Sequence, residues 1–200
     1  MGDRDAWTNT THDWSKTVDQ EHLQVIRDHA ADYAATGAQH LVLEILAYAN
    51  DEAESLGRRG LCTVTWHEDG SISVADNGRG TDTRRDARGR IVRKPVMATK
   101  DLRFFDHEIA VLPDGRPRRG MSVVAALSIW LEHTNHRVDG GWTQRYEHGV
   151  PVFDLIDLPA SPRTGTTVRF RPDPQLIPSG QPDSRGYASF PWLTVESPGR

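Results

Sequence analysis

The sequence has a single cysteine, Cys62, so no disulfide can form within the chain. Its longest apolar run falls far short of the roughly 20 residues that a membrane helix needs, and no charged-then-apolar leader opens it. Basic residues are not in excess, because 24 Lys and Arg stand against 28 Asp and Glu, a formal net charge of −4. These absences predict a cytoplasmic protein that does not contact membranes and whose surface as a whole does not attract DNA.

Hydrophobic residues occupy 36% of the 200 positions, which is enough for one globular domain with its own core. Composition divides the chain into three segments. We expect a flexible arm over residues 1–18, a folded domain over residues 19–172, and a tail rich in proline, serine and glycine over residues 173–200. The tail is expected to run along the surface.

Helical spacing of apolar residues begins at Asp19 and stops at Gly37, and a second, wider apolar stripe stops at Gly57. A third helix is predicted after Gly120, over the segment MSVVAALSIWLEH. We therefore expect helices over three stretches of the chain.

Alternating apolar residues predict the strands. TVTWH and SISVA form one predicted hairpin, which delivers Val74 and Asp76 to its far end, and HTNHRV and WTQRYEH form another. Helices and antiparallel strands in this order predict an α+β two-layer sandwich, with a mostly antiparallel mixed sheet and helices on one face.

Three segments of the chain carry candidates for chemistry, two with acidic residues and one with basic residues. Glu44 lies within the apolar stripe of the second helix, where a carboxylate needs a partner or a function, and Asp51 follows two turns later. The string Asp76-Asn77-Gly78-Arg79-Gly80 ends a strand, and its glycines allow a tight turn. Arg118, Arg119 and Gly120 precede the third helix, whose N-terminus favours an anion.

The order of these motifs resembles the gyrase B branch of the GHKL, or Bergerat-fold, ATPases. The resemblance runs from about Leu23 to Pro172 and is carried by HLVLEIL with DEA, VADNGRG, GMSVVAALS, RYEHGVP and TGTTVRFRP. It implies that residues 19–172 form a nucleotide-binding domain for ATP or ADP. It further implies that Glu44 is the general base and that Asp76 accepts the adenine amino group, directly and through a water shared with Thr166.

The resemblance also implies the remaining binding residues. The apolar walls around the base would be Ile45, Val74 and Val168. Close approach of the base would depend on Gly78 and Gly80, with Arg79 over its face and Arg137 at the pocket mouth. The phosphates would lie near Arg118, Arg119 and Gly120, and Asp51 could reach a metal through water.

The chain departs from the family pattern at the metal and at the phosphate loop. Tyr48 stands where the family has a magnesium-binding asparagine, and a phenol is a poor ligand for that cation. Asn50 lies about 200° around the helix from that position. Pro117 removes a backbone donor from the phosphate loop. No metal ligand is assigned, and the use of magnesium is left open.

These observations leave three functions open. The first is a stand-alone nucleotide-binding domain, an ATPase or weak ATPase coupled to a protein partner or to self-association. The second is a pseudo-ATPase interaction protein. The third alternative is a nucleic-acid binder, for which a solvated loop is the simpler explanation; its basic run is Arg84, Arg85, Arg88, Arg90 and Arg93. We expect no DNA strand passage by this chain alone, since 200 residues leave no room for transducer and cleavage domains.

Overall fold

The computed structural model describes residues 18–81, 84–85, 87–89, 91–92, 97–104, 110–178 and 184–198. The predicted arm at residues 1–18 lies outside this part of the chain except for its last residue. Arg90 and Arg93 of the basic run also lie outside it, and only the backbone of Arg84–Arg85 is described.

The helices begin and end at residues with clear local causes. They are α1 (Gln20–Asp28), α2 (Ala30–Tyr33), α3 (Ala38–Ser55) and α4 (Met121–Ala126). The Asp19 carboxylate caps α1 by accepting from the backbone N–H of His22 at 3.2 Å. Gly37 enters α3 with φ of 72°, and Gly57 follows the helix with φ of 61°, both in the region that favours glycine. No helix among the described residues has the length and apolar character needed to cross a bilayer.

The strands are β1 (Gly60–Trp66), β2 (Ile72–Asp76), β3 (Arg84–Arg85), β4 (Ile91–Val92), β5 (Ser128–Arg137), β6 (Gly140–Glu147), β7 (Val150–Pro151), β8 (Ile156–Leu158), β9 (Gly165–Pro172) and β10 (Leu193–Glu196). The main sheet has the order β10-β1-β2-β9-β5-β6-β7, with β8 also paired to β6, while β3 and β4 pair separately. Only the β1–β10 pair in this sheet is parallel among the described pairings.

The core lies between one face of this sheet and the helices. Helices α3 and α4 pack on the sheet, and α1 packs on α4. Ile72, Phe170, Leu131 and Tyr146 are paired across four neighbouring strands and are all buried, as the period-two pattern requires. The α+β sandwich with a mostly antiparallel mixed sheet is therefore confirmed.

The predicted third helix is wrong beyond its first six residues. The segment MSVVAALSIWLEH is helical only over Met121–Ala126, and Ser128 begins strand β5. Leu131 and His133 are buried on alternate positions of β5, because the strand pairs with β9 and β6 on its two sides. Pairing with residues distant in the chain outweighs the local helical spacing.

The C-terminal tail contributes a strand to the main sheet and side chains to the core. Leu193–Glu196 forms β10, which extends the main sheet beside β1. Tyr187, Phe190 and Leu193 are buried in the common core. The sequence pattern predicted a tail along the surface and did not predict this strand, since its partner β1 lies more than 130 residues earlier in the chain.

Candidate functional site

Two rows of side chains on the helix-facing side of the sheet form the floor of a cavity of about 340 Å³. Strand pairing aligns Val74, Val168 and His133 in one row and Thr166 with Asn135 in the next, although Asn135 itself does not line the cavity. Asp76 and Trp142 also line the cavity. The His133 and Trp142 rings meet edge to face, with centroids 4.8 Å apart. The floor is therefore apolar at its centre, with a carboxylate and two aromatic rings around it.

Helix α3, two segments that precede α4 in the chain and the first residue of α4 form the walls. Ile45, Tyr48, Ala49, Asp51, Glu52 and Ser55 lie along α3, and the other wall residues are Arg79, Gly80, Thr81, Met97, Arg103 and Met121. The volume lies near the lower end of the range of about 300–1,000 Å³ that is usual for small-molecule sites. The cavity is thus large enough for a compact ligand.

Most of the residues that the sequence singled out meet at this cavity. Those that line it are Ile45, Asp51, Val74, Asp76, Arg79, Gly80, Thr166 and Val168. The cavity lining does not include Glu44, Gly78, Arg118, Arg119, Gly120 and Arg137. Sequence reasoning missed His133, Trp142, Glu52 and Arg103, because no local motif marks them.

Asp76 ends β2 with both carboxylate oxygens in use. Its Oδ1 accepts from the Gly78 N–H at 2.7 Å, and its Oδ2 accepts from the Thr166 N–H at 3.2 Å and from the Thr166 hydroxyl. Burial raises the pKa of Asp76, although the bonds from Thr166 and Gly78 act in the opposite direction. The carboxylate is consequently fixed in position at the cavity floor.

The glycines after Asp76 are required by packing within the protein itself. A Cβ on Gly78 would lie 2.9 Å from Asp76 Oδ1, and one on Gly80 would lie 2.5 Å from Asn135 Oδ1. Gly80 also has φ of 80°. The Asn135 amide oxygen accepts from the Thr81 N–H at 2.7 Å, so the loop is bound directly to strand β5.

The two arginines beside this loop have protein partners. Arg79 forms a two-bond ion pair with Glu52, at 2.7 and 3.0 Å, across the end of α3. Arg137 donates from Nη1 to the Gly80 carbonyl at 3.3 Å. Both side chains therefore brace the loop that follows Asp76.

Glu44 is completely buried and contacts the loop that leads into α4. Its two oxygens accept from the backbone N–H groups of Arg119 at 2.6 Å and Gly120 at 3.0 Å. The Nε2 atom of His40, one turn earlier on α3, lies 3.5 Å from Glu44 Oε1. Glu44 thus binds the start of α4 and is separate from the cavity lining.

His40 connects Glu44 to the loop residue Asp114, whose Oδ2 lies 2.8 Å from His40 Nδ1. Burial alone lowers the pKa of His40, but the hydrogen bonds and charges of Asp114 and Glu44 outweigh it and raise the pKa to about 9. The imidazolium is therefore held between two carboxylates at neutral pH.

Tyr48 is the centre of a charged and aromatic cluster at one end of the cavity. Its hydroxyl donates to Asp101 Oδ2 at 2.5 Å, and the Arg103 and Arg118 guanidinium groups lie 5.4 and 4.8 Å from its ring centroid. Arg118 also forms two hydrogen bonds with Asp51, at 3.2 and 2.8 Å. Burial raises the pKa of Tyr48 well above its ordinary value, and the Asp101 charge adds to this. The phenol therefore stays neutral.

The residues present do not fit a magnesium ion at this end of the cavity. The Tyr48 hydroxyl donates a hydrogen bond to Asp101, the Asp51 carboxylate is held by Arg118, and Asn50 Oδ1 accepts from the Trp192 N–H at 3.1 Å. Across the described ranges, no three histidine, cysteine, aspartate or glutamate side chains are grouped as a metal site. A hard cation would find its oxygen ligands already engaged.

The fold and this cavity define a class of protein: an α+β sandwich with a cavity between a helix and the sheet. No protein-family model matches the chain. It is similar to the B subunit of DNA gyrase from Thermotoga maritima, 38% identical over 146 residues, which is 70% of this chain and 22% of that protein. The B subunit of DNA topoisomerase 4 from Staphylococcus epidermidis is 33% identical over 165 residues, 80% of this chain and 25% of that protein.

The B subunit of DNA gyrase from Haloferax volcanii is 36% identical over 163 residues, which cover 76% of this chain and 25% of that protein. The chain therefore spans about a quarter of the length of these relatives. These similarities confirm the resemblance that the motifs carry, and the chain belongs to the gyrase B type of the GHKL family.

Proposed function

We propose that the cavity binds the adenine base of ATP or ADP, with Asp76 as the acceptor for the exocyclic amine. The relatives support this assignment, because they are B subunits of DNA gyrase and topoisomerase 4, and the motifs that resemble gyrase B imply a site for ATP or ADP. The observation that carries it is the fixed Asp76 carboxylate between Thr166 and the apolar Val74 and Val168. A flat base needs this combination of apolar surfaces and one well-placed acceptor.

Asp76 also supplies base selectivity. An adenine amino group donates to a carboxylate, whereas the carbonyl at the same position of guanine would face it with two lone pairs. Because Thr166 and Gly78 hold the carboxylate in place, it cannot turn away to accommodate guanine. Guanine nucleotides should therefore bind poorly.

The domain acts as a nucleotide-binding module with little hydrolysis of its own. Both Glu44 oxygens accept backbone N–H groups, and the cavity lining excludes that residue. A general base must reach the attacking water, and this arrangement keeps it from doing so. Nucleotide binding then changes the conformation of the domain and so its contact with a protein partner or a second copy. The competing function is a pseudo-ATPase, which keeps the fold but has lost hydrolysis.

Calorimetry with ADP, ATP and a nonhydrolysable ATP analogue tests this function, with GTP as the base control. We expect Asp76→Asn to weaken ADP binding by about 10- to 100-fold, the usual value of a hydrogen bond to a charged group. Asp32→Asn is the matched control, because Asp32 is an exposed carboxylate on α2, none of whose residues lines the cavity. Equal ADP affinity in the Asp76 variant and the wild type would refute the assignment.

A further inference from the structure

We propose that Asn135 is a positioning residue of the base site, which holds the cavity wall after Asp76 in place and so slows the release of a bound nucleotide. This inference rests on the proposed adenine site and adds the residue that sets how long a ligand stays there. Asn135 is 0% exposed on β5 and does not line the cavity. The wall segment, Arg79, Gly80 and Thr81, does line it, so Asn135 acts on a ligand through this wall.

The Asn135 side chain pairs with Thr81 as a neighbouring strand would. Its Oδ1 atom accepts from the Thr81 N–H at 2.7 Å, and its Nδ2 atom donates to the Thr81 carbonyl oxygen at 3.1 Å. A primary amide carries a donor and an acceptor side by side, so it matches both backbone polar groups of one residue. An aliphatic side chain would satisfy neither group, and an ionised carboxylate would satisfy only the N–H.

The backbone of the wall segment also lies directly against β5. A Cβ on Gly80 would lie 2.5 Å from Asn135 Oδ1 and 2.6 Å from the His136 carbonyl oxygen. Strand register places Asn135 beside Thr166, whose N–H and hydroxyl hold the Asp76 carboxylate. The acceptor for the base and the wall beside it are therefore held by neighbouring residues of two paired strands.

Two other contacts of the wall segment are weaker than those of Asn135. The Arg79 and Glu52 side chains form an ion pair but are 59% and 30% exposed, and water screens such pairs strongly. The Arg137 bond to the Gly80 carbonyl oxygen is long, at 3.3 Å. Water competes less for the bonds of the fully buried Asn135 amide. Asn135 is thus the firmest of these three anchors, and its loss should loosen the wall.

Stopped-flow release of ADP that carries a fluorescent group on its ribose measures this role. We expect Asn135→Leu to release the nucleotide about 10-fold faster than the wild type, as for the loss of two neutral hydrogen bonds, with less change in the association rate. Discrimination against GTP should not change, because Asp76 keeps its bonds from Thr166. Thr134→Val is the matched control, since Thr134 precedes Asn135 on β5 and its hydroxyl bonds Thr143 on the opposite face of the sheet.

Asn135→Asp gives a second measurement, in which pH turns the bond to the Thr81 carbonyl on and off. A protonated carboxylic acid has an acceptor and an O–H donor, so it can replace both amide bonds, whereas the ionised form faces the carbonyl with a second acceptor. Burial favours the protonated form. We expect this variant to release ADP at nearly the wild-type rate at pH 5 and as fast as Asn135→Leu at pH 8. Circular dichroism at both pH values checks that each variant is folded.

Release from Asn135→Leu at the wild-type rate would overturn the positioning role while leaving the adenine site standing. If Asn135→Leu does not fold, Asn135→Asp decides the question. A rate that has the same ratio to the wild-type rate at pH 5 and pH 8 would then overturn the role. Failure of the wild type to bind ADP at all would overturn the adenine site and this inference together.

Discussion

The buried imidazolium of His40 makes stability depend on pH in a direction that the structure specifies. Its folded-state pKa is about 9, against 6.5 for a free histidine. A raised pKa stabilises the folded state fully below pH 6.5, and this contribution is lost as pH rises through about 9. The protein should therefore lose stability on the alkaline side of neutrality.

The size of the effect follows from the same pKa values. Raising the pKa from 6.5 to about 9 corresponds to about 3 kcal/mol, a substantial part of a typical domain stability of about 5–15 kcal/mol. The His40 side chain is 0% exposed, so solvent does not screen its contacts with Asp114 and Glu44. Most of this free energy should be lost between pH 7 and pH 10.

Urea denaturation of the wild type and His40→Gln at several pH values from 6 to 10 measures this contribution. Other titrating groups are common to both proteins, so the difference between their unfolding free energies isolates His40. We expect that difference to shrink by about 2–3 kcal/mol across the range. A difference that stays constant from pH 6 to pH 10 would refute the reasoning. Asp114→Asn should also make the unfolding free energy depend less on pH, because it removes the carboxylate nearer to His40.

Further predictions concern the cavity. Thr166→Val should weaken ADP binding less than Asp76→Asn, because the Thr166 N–H still orients the carboxylate; equal losses by calorimetry would contradict this. Gly80→Ala should destabilise the domain by about 1–3 kcal/mol in urea denaturation, since its φ is 80° and the new Cβ would overlap Asn135. Wild-type ATP turnover should be near the detection limit in a coupled assay, because both Glu44 oxygens accept backbone N–H groups of the loop before α4. Robust magnesium-dependent turnover in the wild type would show that another residue has taken the place of the metal ligand.

The local sequence pattern was enough to predict the helix that carries Glu44 and the strand that carries Asp76. Apolar residues at helical spacing place Glu44 on the inward face of α3, and period-two alternation brings Val74 and Asp76 to the end of β2. These predictions work because a periodic apolar pattern has one face to bury, whatever the rest of the chain does. The family motifs then connect β2 with Thr166 on β9, which the strand register places beside it.

Contacts between residues distant in the chain were decided only by the tertiary structure. Ser128 begins a strand because β9 and β6 flank it, and Leu193 joins the sheet beside β1. The hydroxyl of Tyr48 meets Asp101, 53 residues later, and Arg103 reaches the cavity beside it. A sequence records which residues can donate, accept or carry charge, but a hydrogen bond needs two groups within about 3 Å, and only the packed chain sets that distance.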